Sequence, residues 1–175
     1  MGGEVKKFMV FDVESIGLHG EGFAVGWVVV DDTGDEVEVC RIACDPSQAS
    51  GNAAGRQWVK ENARFIINAK SPRDVREGFW ARWLWLKSQG VLLAADVAWP
   101  VEATFLTACI REDHVSREWE GPYPLIDIAS VRFAAGLDPL GKEERQHGER
   151  PEHDPVADAR QSARLLIEAL KVTRP

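Results

Sequence analysis

Three β-rich apolar runs fall within the first 43 residues, and this clustering constrains the fold more than any other feature. They are KFMVFD (7–12), FAVGWVVVD (23–31) and EVEVCRIA (36–43). The first is continuously apolar, as a buried strand is, and the third alternates polar with apolar, as a half-exposed strand does. Thr33-Gly34 marks a tight turn between the second and third runs. These spacings predict an antiparallel meander.

Beyond residue 45 the chain changes character. PSQASGNAAGR (46–56) reads as a loop, and a helical stretch is expected over 57–67. Ser71-Pro72, with Asp74 close behind, has the pattern of an N-cap followed by Pro at the first helical position. That helix runs to about Ser88 and stops at Gly90. It carries Phe79, Trp80, Trp83, Leu84 and Leu86 at helical spacing; core packing or a dimer face is the expectation for Trp80, Trp83 and Trp85. VLLAA (91–95) is a buried strand ending at Asp96, Pro100 opens a helix, and PLIDIA (124–129) is the next strand. Residues 138–152 read as a mobile loop. A final helix over 155–171 puts Ala163, Leu166, Ile167 and Leu170 on its apolar side. The expected architecture is one α/β domain over 1–175. Its mixed five-stranded sheet combines a three-strand antiparallel meander with parallel strands, flanked by helices.

Charge and cysteine content narrow the function classes. Against 21 Lys and Arg stand 28 Asp and Glu, a net charge of −7, which argues against a broad basic groove for duplex nucleic acid. An acidic metal site is not excluded by that balance. Cys40, Cys44 and Cys109 fit neither a disulfide framework nor a structural zinc site, so a reduced, cytoplasmic setting is expected. No run of about eighteen apolar residues exists, so no membrane span and no membrane partner are expected. The N-terminus lacks the plan of a signal peptide.

Acids recur where strands end and helices begin. In FDVES, Asp12 and Glu14 are two apart at a strand end, so both face the same side and converge. An apolar strand ending in Asp-x-Glu is costly unless a partner or metal neutralises the charges. Asp96 ends a second strand, and Glu102 sits in the first turn of the next helix, where the helix dipole favours an acid in any case. HDPVADARQSARLL places His153 five positions before Asp158, which lies on a helix face shared with Ser162 and Leu165.

Taken together, these motifs resemble the DEDDh-type 3′→5′ exonucleases of the ribonuclease H-like superfamily, along almost the whole chain and in the family's order. FDVES resembles the first exonuclease motif, HDPVADARQSARLL the third, and LIDIAS, with Asp127, the strand segment before the third. The middle motif departs. In ADVAWPVEATFL the pair Phe105-Leu106 keeps the family's distance from Glu102, not from Asp96. The third metal-binding acid is therefore carried onto Glu102, a Glu where the family has Asp, with Asp96 as its rival.

What the resemblance implies is a ribonuclease H-like sheet and a metal-dependent exonuclease. Such an enzyme hydrolyses phosphodiester bonds at single-stranded RNA or DNA 3′ ends and releases nucleoside monophosphates. Two Mg²⁺ or Mn²⁺ ions would be held by Asp12, Glu14, Asp158 and Glu102 or Asp96. His153 would take the proton from the attacking water, swinging in from its loop as substrate binds. Ser15, Ile16 and Gly17, just after the first motif, would contact the terminal nucleotide, and Trp99 would stack on its base. Arg64, Arg73 and Arg160 are candidate phosphate contacts. A homodimer is common in that family. Two other readings stay open: an endonuclease on the same fold, and a catalytically silent module that binds nucleic acid or protein.

Overall fold

A computed structural model describes residues 5–141 and 143–173. Its sheet is built from β1 (Lys7–Ser15), β2 (Gly22–Asp31), β3 (Glu36–Ala43), β4 (Leu92–Ala95) and β5 (Leu125–Asp127), in the order β3-β2-β1-β4-β5. Strands β3, β2 and β1 pair antiparallel, while β1–β4 and β4–β5 pair parallel. The mixed five-stranded α/β sheet is therefore present as expected, and its topology is consistent with the ribonuclease H-like fold.

Side-chain alternation along the central strand β1 divides the core in two. Met9, Phe11 and Val13 face one cluster, which includes Trp27, Phe79, Trp80, Trp83 and Phe105. These residues come from β2, from α2 (Pro72–Ser88) and from α3 (Val101–Glu112). Phe8 and Val10 face the other cluster, where α6 (Pro155–Thr173) contributes Ala159, Ala163, Leu165, Leu166 and Ile167. Each fully buried Leu, Ile, Val or Phe contributes about 1.5–3 kcal/mol, so α6 is held firmly on this face. Continuing the row Phe8, Val10 brings Asp12 and Glu14 to the same side, toward α6.

One glycine sets how close α6 comes. Gly26 on β2 pairs with Asp12 across the ladder, and a Cβ there would lie 2.4 Å from Pro155 C and 2.5 Å from Val156 N. Only Gly lets the start of α6 rest directly on the sheet beside Asp12. Asp154 then caps the helix, accepting from the amides of Val156 (3.0 Å) and Ala157 (3.1 Å) while pairing with Arg41 at 2.8 Å.

Several expected boundaries move. The helix expected over 57–67 is α1 (Ala53–Asn62), because the Asn52 side chain accepts from Gly55 N and starts it four residues early, in the supposed loop's own sequence. Residues 63–70 are instead an extended strap, whose Asn68 and Ala69 amides both donate to Ala43 O at 2.9 Å. The strand expected over 124–129 ends at Asp127, whose carboxylate accepts from Ser130 N and opens a short helix, α5 (Ile128–Ala134). A one-turn helix, α4 (His114–Arg117), follows α3. Trp80 and Trp83 are core residues, whereas Trp85 is exposed with the Arg82 guanidinium 4.0 Å above its ring. No described helix is long and apolar enough to cross a membrane.

Candidate functional site

The elements that meet at the C-terminal ends of β1 and β4 bring the expected acids to one cavity of about 360 Å³. It is lined by Asp12 and Glu14 from β1, Asp96 after β4, Glu102 from α3, and His153 and Asp158 at the start of α6. Glu14, His153 and Asp158 each offer a ligand atom within 4.8 Å of the others. Glu14 is only 6% exposed and Glu102 is buried, so the cluster is a pocket floor rather than a solvated acidic surface.

Electrostatics follow from that crowding. Burial, reinforced by the charges of Glu14, Asp158, Glu102 and Asp96, holds the Asp12 carboxyl well above the ordinary range. Burial and then Asp158, Glu102 and Asp154 push Glu14 up to about 8. Burial is also the main push on Glu102, raised to about 7 although backbone amides pull the other way. Asp96, exposed at the rim, is raised as well by the partial loss of water around it, with Arg132 opposing. Four neighbouring carboxyls raised together describe a site in need of positive charge.

Part of that charge is supplied by the chain itself. Arg145 Nη1 binds Asp158 Oδ1, and its other anchor is Glu149 O at 2.8 Å. Asp158 Oδ2 accepts from the His153 amide at 3.0 Å. Burial still leaves Asp158 raised, but Arg145 and His153 offset much of the effect. Asp12, Glu14 and Glu102 have no basic side chain within ion-pairing distance among the described residues.

His153 is already at the carboxylates and needs no swing to reach them. Its backbone is tied on both sides, by its amide to Asp158 and by its carbonyl, which accepts from Arg64 N at 2.7 Å. The Trp58 ring packs edge-to-face against the imidazole at 4.7 Å. His153 sits at φ 60°, in the left-handed region, the only such non-glycine among the described residues. A bulky residue held there costs about 1–3 kcal/mol, strain of the kind that collects at functional sites. The loop expected to be mobile is also fastened, through Arg132–Glu143 and Arg164–Glu149 as well as Arg145–Asp158.

The expected contacts after the first motif are not brought to the cavity. Strand β1 runs on through Ser15, whose hydroxyl donates to Gly17 O at 2.8 Å. Ile16 is 1% exposed and packs into the core, and Gly17 turns the chain at φ 72°. Leu18, 65% exposed, lines the cavity instead, as does Trp99, which is 71% exposed. Asp127 supports this edge indirectly: its carboxylate accepts from Ala98 N at 3.0 Å, and Ala129 N donates to Asp96 O. Arg73 and Arg160 are spent on Glu112 and Glu36, whereas Arg64 has no carboxylate partner among the described residues.

Sequence reading missed Leu18, Trp58 and Arg145. Trp58 lay in a stretch with a weak helical pattern, and Arg145 in a loop with no periodicity at all. No protein-family model matches the chain, and no curated protein matches it in sequence.

Proposed function

We propose that the chain is a metal-dependent 3′→5′ exonuclease that hydrolyses phosphodiester bonds at single-stranded nucleic-acid ends, RNA or DNA, and releases nucleoside monophosphates. One observation carries this reading: buried carboxyls without a counter-charge converge beside a histidine, at the end of the central strand. Carboxylate oxygens are the donors that hard divalent ions take. The uncompensated charge on Asp12, Glu14 and Glu102 is what such ions would neutralise.

In this reading Asp12, Glu14, Asp158 and Glu102 hold two Mg²⁺ or Mn²⁺ ions. Bound there, the ions lower the pKa of water and stabilise charge on the transferring phosphoryl group. The protein's own groups do the rest. His153 accepts the proton of the attacking water at its imidazole. Trp58 and the two backbone hydrogen bonds fix its direction. Leu18 and Trp99, exposed at the rim, give the terminal base apolar surfaces to rest on. Glu102 takes the third acid position over Asp96, because it is the buried one and its charge acts more strongly on Asp12. The Arg145–Asp158 pair favours a second reading, a catalytically silent module in which the arginine permanently replaces a metal.

The test is Mn²⁺-dependent shortening of a 5′-labelled oligonucleotide. Wild type should release mononucleotides progressively, and Asp158→Ala should abolish release while keeping the fold. Undiminished trimming by that variant would overturn the assignment. Cleavage of a 3′-blocked strand would replace the exonuclease with an endonuclease, and no cleavage at all would favour the silent module.

A further inference from the structure

Next to the carboxylate cavity, and sharing His153 with it, lies a second and larger cavity of about 660 Å³. Its walls carry Arg64, Arg145 and Arg150, together with Asn62, Glu61 and Glu152. In a chain of net charge −7 this is an unusual place to find three guanidinium groups.

What sets the groove apart is how little of its positive charge is used. Most arginines of this protein are held by carboxylates. Among the described residues only Arg56, Arg64, Arg111 and Arg150 have no carboxylate within 4 Å. Two of those four line this one groove. Arg64 rests its guanidinium on the neutral carbonyls of Ala63 (2.9 Å) and Glu61 (3.3 Å), so its charge is fixed in place but not cancelled. Arg150 is exposed and forms no hydrogen bond or ion pair among the described residues. Of the two acids of the groove, Glu152 lies 3.5 Å from Arg145 Nε, whereas Glu61 accepts from the neutral Gln57 amide; neither pairs with Arg64 or Arg150.

Arg64 is also coupled to the candidate site through the backbone, since its amide donates to His153 O. The groove that carries Arg64 and Arg150 therefore adjoins the carboxylate cavity at His153. An anion that enters the acidic cavity must carry its own charge compensation there. A chain of anions that continues past His153 meets fixed positive charge instead. The match is to a repeating phosphodiester, whose phosphates recur along the strand, rather than to a single mononucleotide.

We propose that the Arg64–Arg150 groove binds the backbone phosphates of a single-stranded polynucleotide upstream of its 3′ end, and so selects strands over small phosphate esters. The direction of the strand rests on the nuclease reading; binding by the groove does not.

The experiment measures binding without chemistry. Fluorescein-labelled oligothymidylate and oligouridylate of about twelve residues are titrated with the full chain in EDTA, at several salt concentrations, by anisotropy. Arg64→Glu/Arg150→Glu should weaken binding tenfold or more. It should also flatten the slope of log K against log salt by about 1.4, the loss of two contacts to a single strand. Arg64→Gln/Arg150→Gln should fall between, because it removes charge without reversing it. Lys171→Glu, about 24 Å along α6 from its start, should stay within twofold. Loss on both strands, or on whichever strand wild type binds, supports the groove and reports its tolerance for the sugar. Wild-type affinity and slope in the double reversal overturn it, as does an equal loss in Lys171→Glu. The two readings fail separately. No trimming by wild type, with binding still lost in the double reversal, removes the nuclease and keeps the groove. Trimming by wild type, with the double reversal binding unchanged, does the opposite.

Discussion

Two clusters of acids flank α3, and they are built on opposite principles. At the contact of α2 with α3 and the β1–β2 turn, Glu21 and Glu112 meet Arg76, which is itself buried. Burial alone would raise Glu21, but the Ser50 amide and the Arg76 guanidinium together outweigh it and hold the carboxyl below its ordinary range. At the end of β1, Asp12, Glu14 and Glu102 lie deeper with no arginine among them, and all three are raised. The first cluster is complete and works as a clamp between helices. The second is incomplete, and incompleteness is what distinguishes a site from a structural ion pair.

The largest effects should come from removing ligands of the incomplete cluster. Glu102→Gln should lower Mn²⁺-dependent trimming about 10³-fold, near 4 kcal/mol of barrier, whereas Asp96→Asn should cost less than tenfold. Measured rates in the reverse order would move the third acid to the rim and place Glu102 among the acids that merely favour a helix start.

Stability should separate the clusters by sign. Arg76→Met strands two partly buried carboxylates and should destabilise by about 3 kcal/mol, lowering the melting temperature by roughly 6–12 °C. Glu14→Gln removes a carboxyl whose ionisation has no counter-charge to support it and should raise the metal-free melting temperature at pH 8. The same asymmetry predicts a pH dependence. Between about 4.5 and 8 the folded state keeps a proton on Glu14 that the unfolded chain has released. Stability from this group is therefore complete below about 4.5 and is lost as pH rises toward 8; Glu102 adds the same trend up to about 7. Metal-free protein should thus be less stable at pH 8 than at pH 5.5, and saturating Mg²⁺ should remove the difference. A metal-free melting temperature that rises over this interval would place counter-charge in the cluster after all.

The parts of this contrast that sequence revealed are those written in short, regular stretches. FDVES and HDPVAD carry their acids at fixed spacing on a strand and a helix, and so Asp12, Glu14, Asp158 and His153 were legible. The antiparallel meander was legible in three clustered β-rich runs and the Thr33-Gly34 turn. Projection after an element ends was not legible. Ser15, Ile16 and Gly17 follow the motif, but one further strand residue and a left-handed glycine turn Ile16 into the core and hand the wall to Leu18. Helix α5 was hidden because Asp127 both ends a strand and caps the helix, leaving no break between them. Counter-charge was illegible altogether. Arg76 lies 36 residues from Glu112, and Arg145 lies 13 from Asp158, separations that no local pattern reports.

Arg145 makes the smallest prediction, and it bears on where the two principles meet. Asp158 belongs to the incomplete cluster, yet one of its oxygens holds an arginine, as an acid of the complete cluster would. If that guanidinium stands in the place of a divalent ion, metal must displace it, and the ion pair opposes binding. Arg145→Gln should then lower the metal-free melting temperature slightly and enlarge the rise produced by Mn²⁺. Apparent Mn²⁺ affinity should tighten threefold to tenfold, about 1 kcal/mol. Neutral glutamine keeps much of the side chain's bulk, so collapse of the loop would not mimic this result. Weaker Mn²⁺ binding in the variant would reverse the reading. Arg145 would then be the group that orients Asp158 toward the metal, and the boundary between clamp and site would run through Asp158 itself.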